Sequence, residues 1–82
     1  MKYTTELKPK AFKDLKSIPS RDRERIIERI EALEDNLQGN VKKLTKHTPE
    51  YRMRSGDWRV LFEIEETKII VYRVLHRKEA YR

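Results

Sequence analysis

Cysteine is absent from this 82-residue chain, so it has no disulfide framework, no thiolate nucleophile and no thiolate metal ligand. Histidine is scarce: His47 and His76 are too few and too far apart to build a zinc site by themselves. No apolar run approaches the roughly 20 residues of a membrane span, and the opening MKYTTELKPKAFKDLKSIPS lacks the hydrophobic stretch of a secretory signal. A cytoplasmic location without membrane contact is the expectation. Glycine and proline number only two and three, so each reads as punctuation between elements.

What is present is charge. Charged residues make up 41% of the chain and hydrophobic ones 37%, which suits a soluble domain with a small core. A chain this short supports one core, so residues 1–82 are read as one domain whose marginal size points to a stabilising partner. The net charge of +6 is uneven. Five lysines face two acids in Met1 to Pro19, Ser20 to Asn40 is acid-rich, and Val41 to Arg82 holds eleven cations against six acids. Cationic ends imply an acidic partner, either nucleic acid or an acidic protein surface.

KYTTEL alternates polar residues with β-branched and aromatic ones and reads as a short strand. Ala11, Phe12, Leu15 and Ile18 recur at helical spacing, which predicts a helix over Pro9 to Ser17 stopped by Pro19. Ser20 is a candidate N-cap for a longer helix whose stripe of Ile26, Ile30, Leu33 and Leu37 ends near Gly39. NVKKLTKHTPE reads as a basic loop. Three strands follow, YRMR, WRVLFEIE and KIIVYRVLH, separated by the turn residues SGD and ETK. The expected fold is α+β in the order βααβββ, with a helical hairpin packed on one face of an antiparallel meander. Trp58 and the isoleucine–leucine stripe are assigned to the core.

Arginines are interleaved with the apolar residues of YRMRSGDWRVLFEI. Side chains alternate along a strand, so Arg52 and Arg54 share one face while Tyr51 and Met53 occupy the other. With helices over the Tyr51 and Met53 face, the cations point away from them, where charge costs less. Arg59, after Trp58, and Arg77, after His76, stand near strand ends. A guanidinium binds phosphate through two hydrogen bonds and keeps its charge at every relevant pH.

The element order, the R-x-G-D-aromatic-R core of this block and the closing H-R-K-x-x-Y resemble the RelE/ParE superfamily, toxins of bacterial toxin–antitoxin pairs, over nearly the whole chain. RelE-like members cut mRNA in the ribosomal A site without a metal, through attack of a ribose 2′-hydroxyl on the adjacent phosphate. The resemblance therefore implies a ribosome-dependent endoribonuclease with no cofactor, its partners a RelB-like antitoxin, the ribosome and mRNA. It places Arg59 and Arg77 on the phosphate and Tyr81 against the base. Arg52 and Arg54, with Lys43 and Lys46 of the basic loop, are the expected RNA contacts.

One departure bears on the chemistry. RelE has a lysine pair where this chain has Arg52 and Arg54, and arginine cannot serve as a general base. His76, beside Arg77, is the most natural replacement, with Glu50, Lys43, Lys46 and Tyr81 as alternatives. His47 reads as solvated. The lysine loss also keeps two other readings open: a ParE-like gyrase inhibitor without nuclease chemistry, and an inactive antitoxin-binding module.

Overall fold

The computed structural model describes residues 1–80. Seven elements follow one another: β1 (Thr4–Leu7), α1 (Pro9–Ser17), α2 (Ser20–Leu33), β2 (Val41–Lys43), β3 (Tyr51–Ser55), β4 (Trp58–Glu65) and β5 (Lys68–His76). They build one five-stranded sheet in the order β1-β5-β4-β3-β2. β1 runs parallel to β5, and every other neighbouring pair is antiparallel. The α+β class, the helical hairpin and the β3–β4–β5 meander agree with the sequence pattern.

Pro9 opens α1, where its fixed φ suits the first helical turn, and the preceding Lys8 is extended as a residue before proline should be. Ala11 and Leu15 turn inward from α1, and Ile26, Ile30 and Leu33 from α2. They meet Met53, Val60, Phe62, Ile69, Val71 and Val74 on one face of the sheet to form the core. Each large side chain taken fully out of water there contributes roughly 1.5–3 kcal/mol.

Three expectations change. The stretch read as a basic loop contains an edge strand: Val41, Lys42 and Lys43 pair with Met53, Arg52 and Tyr51 of β3. Three residues are too short to show a period in sequence, and pairing with β3 supplies what propensity does not. The second helix ends at Leu33 rather than near Gly39, because Asn36 and Leu37 turn into the left-handed region at φ 60° and 56°. Leu37 still packs against the core, which is why it continued the helical stripe in sequence. Finally, the N-cap of α2 is Pro19, with Ser20 the first helical residue and no side-chain cap.

A bulge falls between Leu61 and Phe62: Leu61 opposes Arg73 and Phe62 opposes Val71, so Tyr72 has no partner on β4. β1 stops pairing at Val71, which leaves the outer edge of β5 without a neighbouring strand from there on. Asp14 of α1 takes over at that point. Its carboxylate accepts the Val74 N–H at 2.9 Å and holds the Arg73 guanidinium through Nε at 2.8 Å and a second nitrogen at 3.1 Å. The hydrogen bond to Asp14 raises the Arg73 pKa above its ordinary value.

Candidate functional site: a cationic face on the sheet

The register defines the site. Arg54 lies directly opposite Arg59, and Arg52 directly opposite Leu61. Strand alternation therefore puts Arg52, Arg54 and Arg59 together on the face away from Met53 and Val60. Lys42 of β2 opposes Arg52 and extends the row to the sheet edge. Arg54 and Lys42 are exposed, whereas Arg52 and Arg59 keep only 8% and 5% of their surface.

No carboxylate compensates these charges: none of the four cations joins an ion pair among the described residues. Arg59 donates through one terminal nitrogen to the carbonyls of Gly56 at 2.9 Å and Trp58 at 3.0 Å. The Nε atoms of Arg52 and Arg59 are buried with no hydrogen-bond partner among the described residues. Like charges placed directly across two strands repel, and a buried charge without a counter-ion is costly. An anion bound on this face relieves both.

The β3–β4 turn ties Arg59 to Arg77. Gly56 adopts φ 60°, a conformation glycine takes without steric penalty. Its carbonyl anchors the Arg59 guanidinium, while the next carbonyl, of Asp57, accepts the Arg77 N–H at 2.7 Å. The Arg77 side chain lies 3.8 Å from the Asp57 carboxylate, with both groups well exposed, so solvent screens that pair and leaves the guanidinium available.

His76 stands elsewhere. It opposes Trp58, on the face covered by the helices, and the two rings meet edge to face at 5.3 Å. The Lys78 N–H donates to His76 Nδ1 at 3.3 Å, so in the neutral ring the proton resides on Nε2. Trp58 is only partly buried, a rim residue whose Nε1 donates to Asp22 at 3.1 Å. Lys43 also leaves the arginine row: it opposes Tyr51, with its ammonium 6.0 Å from that ring and 3.7 Å from Glu50. Lys46 is exposed in the β2–β3 loop, and in the same loop His47 Nδ1 lies 3.1 Å from the Pro49 carbonyl. Tyr81 lies outside the described residues.

The sequence model for the ParE toxin of the type II toxin–antitoxin system parDE matches residues 5–81, almost the entire chain. The chain belongs to this toxin family. Toxin RelE3 of Methanocaldococcus jannaschii is 38% identical over 74 residues, 84% of each chain. Putative toxin RelE1 of the same organism is 30% identical over an alignment of 88 positions that takes in all of this chain and 98% of the relative. Among solved structures, the RelB–RelE antitoxin–toxin complex from Methanococcus jannaschii matches with a TM-score of 0.76 and 35% identity, covering 92% of this chain and 93% of that one. The RelBE2 complex from Mycobacterium tuberculosis matches with a TM-score of 0.80 and 26% identity, covering 94% of this chain and all of the other.

In this toxin the sequence reading missed two residues of the arginine face. Lys42 becomes visible only once β2 is known to pair with β3. Glu63 shares the face through the alternation Arg59, Leu61, Glu63, and its carboxylate accepts the Glu50 N–H. Had WRVLFEIE been projected onto two faces, Glu63 would have fallen on the same side as Arg59.

Proposed function

We propose that this toxin is a ribosome-dependent endoribonuclease that cuts mRNA in the A site and is held inactive by a RelB-like antitoxin. The observation carrying this reading is the row of Arg52, Arg54 and Arg59, two of them buried and none in an ion pair with a carboxylate among the described residues. A phosphodiester supplies the missing negative charge, and the planar guanidinium matches its oxygens. In this reading Arg59 and Arg77, anchored by successive residues of one turn, hold the scissile phosphate and stabilise the charge that develops as the 2′-hydroxyl attacks. Arg52, Arg54 and Lys42 bind the flanking backbone, with Lys43 and Lys46 at the rim, and Tyr81 stacks on a base. His76, at the end of β5, takes the 2′-hydroxyl proton on Nδ1 in place of its long hydrogen bond from the Lys78 N–H. The antitoxin is assigned because the similar solved toxins are RelE chains in complex with RelB.

The match to the ParE family model favours a second reading, inhibition of DNA gyrase without cleavage. One pair of assays separates them. Purified toxin is added to a translation reaction and the mRNA ends are mapped, while gyrase supercoiling is measured in parallel. Cuts within the A-site codon support the nuclease. Intact mRNA with blocked supercoiling replaces it with the gyrase reading.

A further inference from the structure

We propose that Tyr72 and Lys8 form a subsite for a base of single-stranded RNA, beside the arginine row and on the same face of the sheet. The bulge in the β4–β5 pairing creates it. Ile69, Val71 and Val74 belong to the core under the helices, so strand alternation turns Ile70 and Tyr72 to the opposite face. The extra residue leaves Tyr72 and Arg73 together opposite Leu61, and a bulge of this kind re-aims a side chain. Arg73 is claimed by Asp14, so the Tyr72 ring is left with the face. On the neighbouring strand Glu6 lies opposite Ile70, and alternation puts Lys8 on the same side as Glu6.

The surroundings define the ligand. The Lys8 ammonium lies 5.7 Å from the centre of the Tyr72 ring and joins no ion pair among the described residues. The ring is half-buried, with Leu61 and Ile70 buried beside it. An aromatic ring set among uncompensated cations is how proteins hold single-stranded nucleic acid: a base stacks on the ring and the cations take the backbone. On binding, the base lies against Tyr72 and the flexible lysine gives its ammonium to the adjoining phosphate.

Position and rigidity fit this role. Leu61 on β4 separates Tyr72 on β5 from Arg52 on β3, two strand spacings or roughly 10 Å. A strand whose phosphate sits on Arg52 therefore brings a neighbouring base to the ring. Glu6 and Glu63 flank Ile70 on this face and repel a polyanion on that side, which bounds its path. Asp14 accepts the Val74 N–H and the Arg73 guanidinium, so the backbone that follows Tyr72 is fixed before RNA arrives. This inference rests on the RNA-binding reading above.

The test titrates the full chain with a single-stranded RNA oligonucleotide and with one of equal length whose riboses carry no bases, at several salt concentrations. Tyr72→Ala, Tyr72→Phe and Lys8→Ala are compared with the parent, circular dichroism checks folding, and Tyr72→Leu replaces Tyr72→Ala if the latter does not fold. Tyr72→Ala is expected to bind the intact oligonucleotide on the order of 10-fold more weakly and to lose much of the parent's preference for it over the abasic one. Its salt slope should stay that of the parent, because stacking releases no counter-ion. Tyr72→Phe keeps the ring and should bind as the parent does, while Lys8→Ala should flatten the slope by about 0.7. Parent affinity in a folded Tyr72→Ala chain overturns the subsite and leaves the arginine face as the RNA site. Equal losses in Tyr72→Phe and Tyr72→Ala also overturn it, since the hydroxyl rather than the ring then matters. So does a Tyr72→Ala chain that keeps its RNA affinity but binds a RelB-like antitoxin more weakly, which gives the ring to a protein interface. A parent chain that binds neither oligonucleotide overturns the RNA reading itself, and the subsite with it.

Discussion

Arg59 is nearly withdrawn from water and looks across the strand pair at Arg54, where a protein built only for stability would place an acid or an apolar side chain. Two carbonyls satisfy part of its guanidinium and fix its direction, which a lysine cannot reproduce because its ammonium has no fork. Arg59→Ala and Arg77→Ala are each expected to lower mRNA cleavage by roughly 10²-fold or more with the fold retained, the usual loss when one stabilising donor is removed. Arg59→Lys should recover only part of it. Mapped mRNA ends from ribosome-bound toxin provide the measurement, and full cleavage by a folded Arg59→Ala chain ends its role.

Proton transfer supplies a second test at the same scale. With His76 as base, the ring takes the proton of the attacking hydroxyl, and His76→Gln should cost about 10²–10⁴-fold. A folded His76→Gln chain that cuts mRNA at the parent rate removes His76 from the chemistry, and Glu63→Gln, on the arginine face itself, becomes the next substitution to make. The common face of Arg52 and Arg54 was legible from strand alternation alone. The burial of Arg52 and Arg59 was not, since it depends on neighbouring strands that no local pattern records.

At the scale of elements, β5 ends at His76 with Arg77 directly after it, and its outer edge needs support once β1 has ended. Asp14 provides it, accepting one backbone N–H and two guanidinium donors from a mostly buried position. Asp14→Ala leaves the Val74 N–H and Arg73 unpaired and should cost about 1–3 kcal/mol. In a chain of this size each kcal/mol lowers Tm by about 4–8 °C, so calorimetry resolves the loss. Asp14→Asn keeps one acceptor and should lose less. Sequence alone delivered α1 to the residue, because prolines bound it on both sides. It overran the end of α2, because Leu37 fits the helical stripe while its backbone has already turned. It also passed over β2, whose existence rests on pairing rather than on composition.

Across the whole molecule, the sheet separates two surfaces of different chemistry. One side carries the arginine row, and the other carries helices whose outer groove is apolar. The net charge of +6 shows that cations are in excess, and the register gathers four of them that join no ion pair among the described residues, Lys42, Arg52, Arg54 and Arg59, on β2, β3 and β4. Binding driven by such a surface releases counter-ions from the nucleic acid, so log affinity falls linearly with log salt concentration, each phosphate contact adding about 0.7 to the slope for single strands. Arg52→Ala combined with Arg54→Ala should weaken RNA binding and flatten that slope by about 1.4 if each guanidinium meets one phosphate. The double substitution F12D/I27D, at two exposed positions of the helices on the far side of the sheet, should leave the slope as it is. A titration of labelled single-stranded RNA at several salt concentrations measures all three proteins. If the double arginine variant keeps the parent's slope, the two side chains are solvated charges and the RNA path must run over Arg59, Arg77 and the loop lysines.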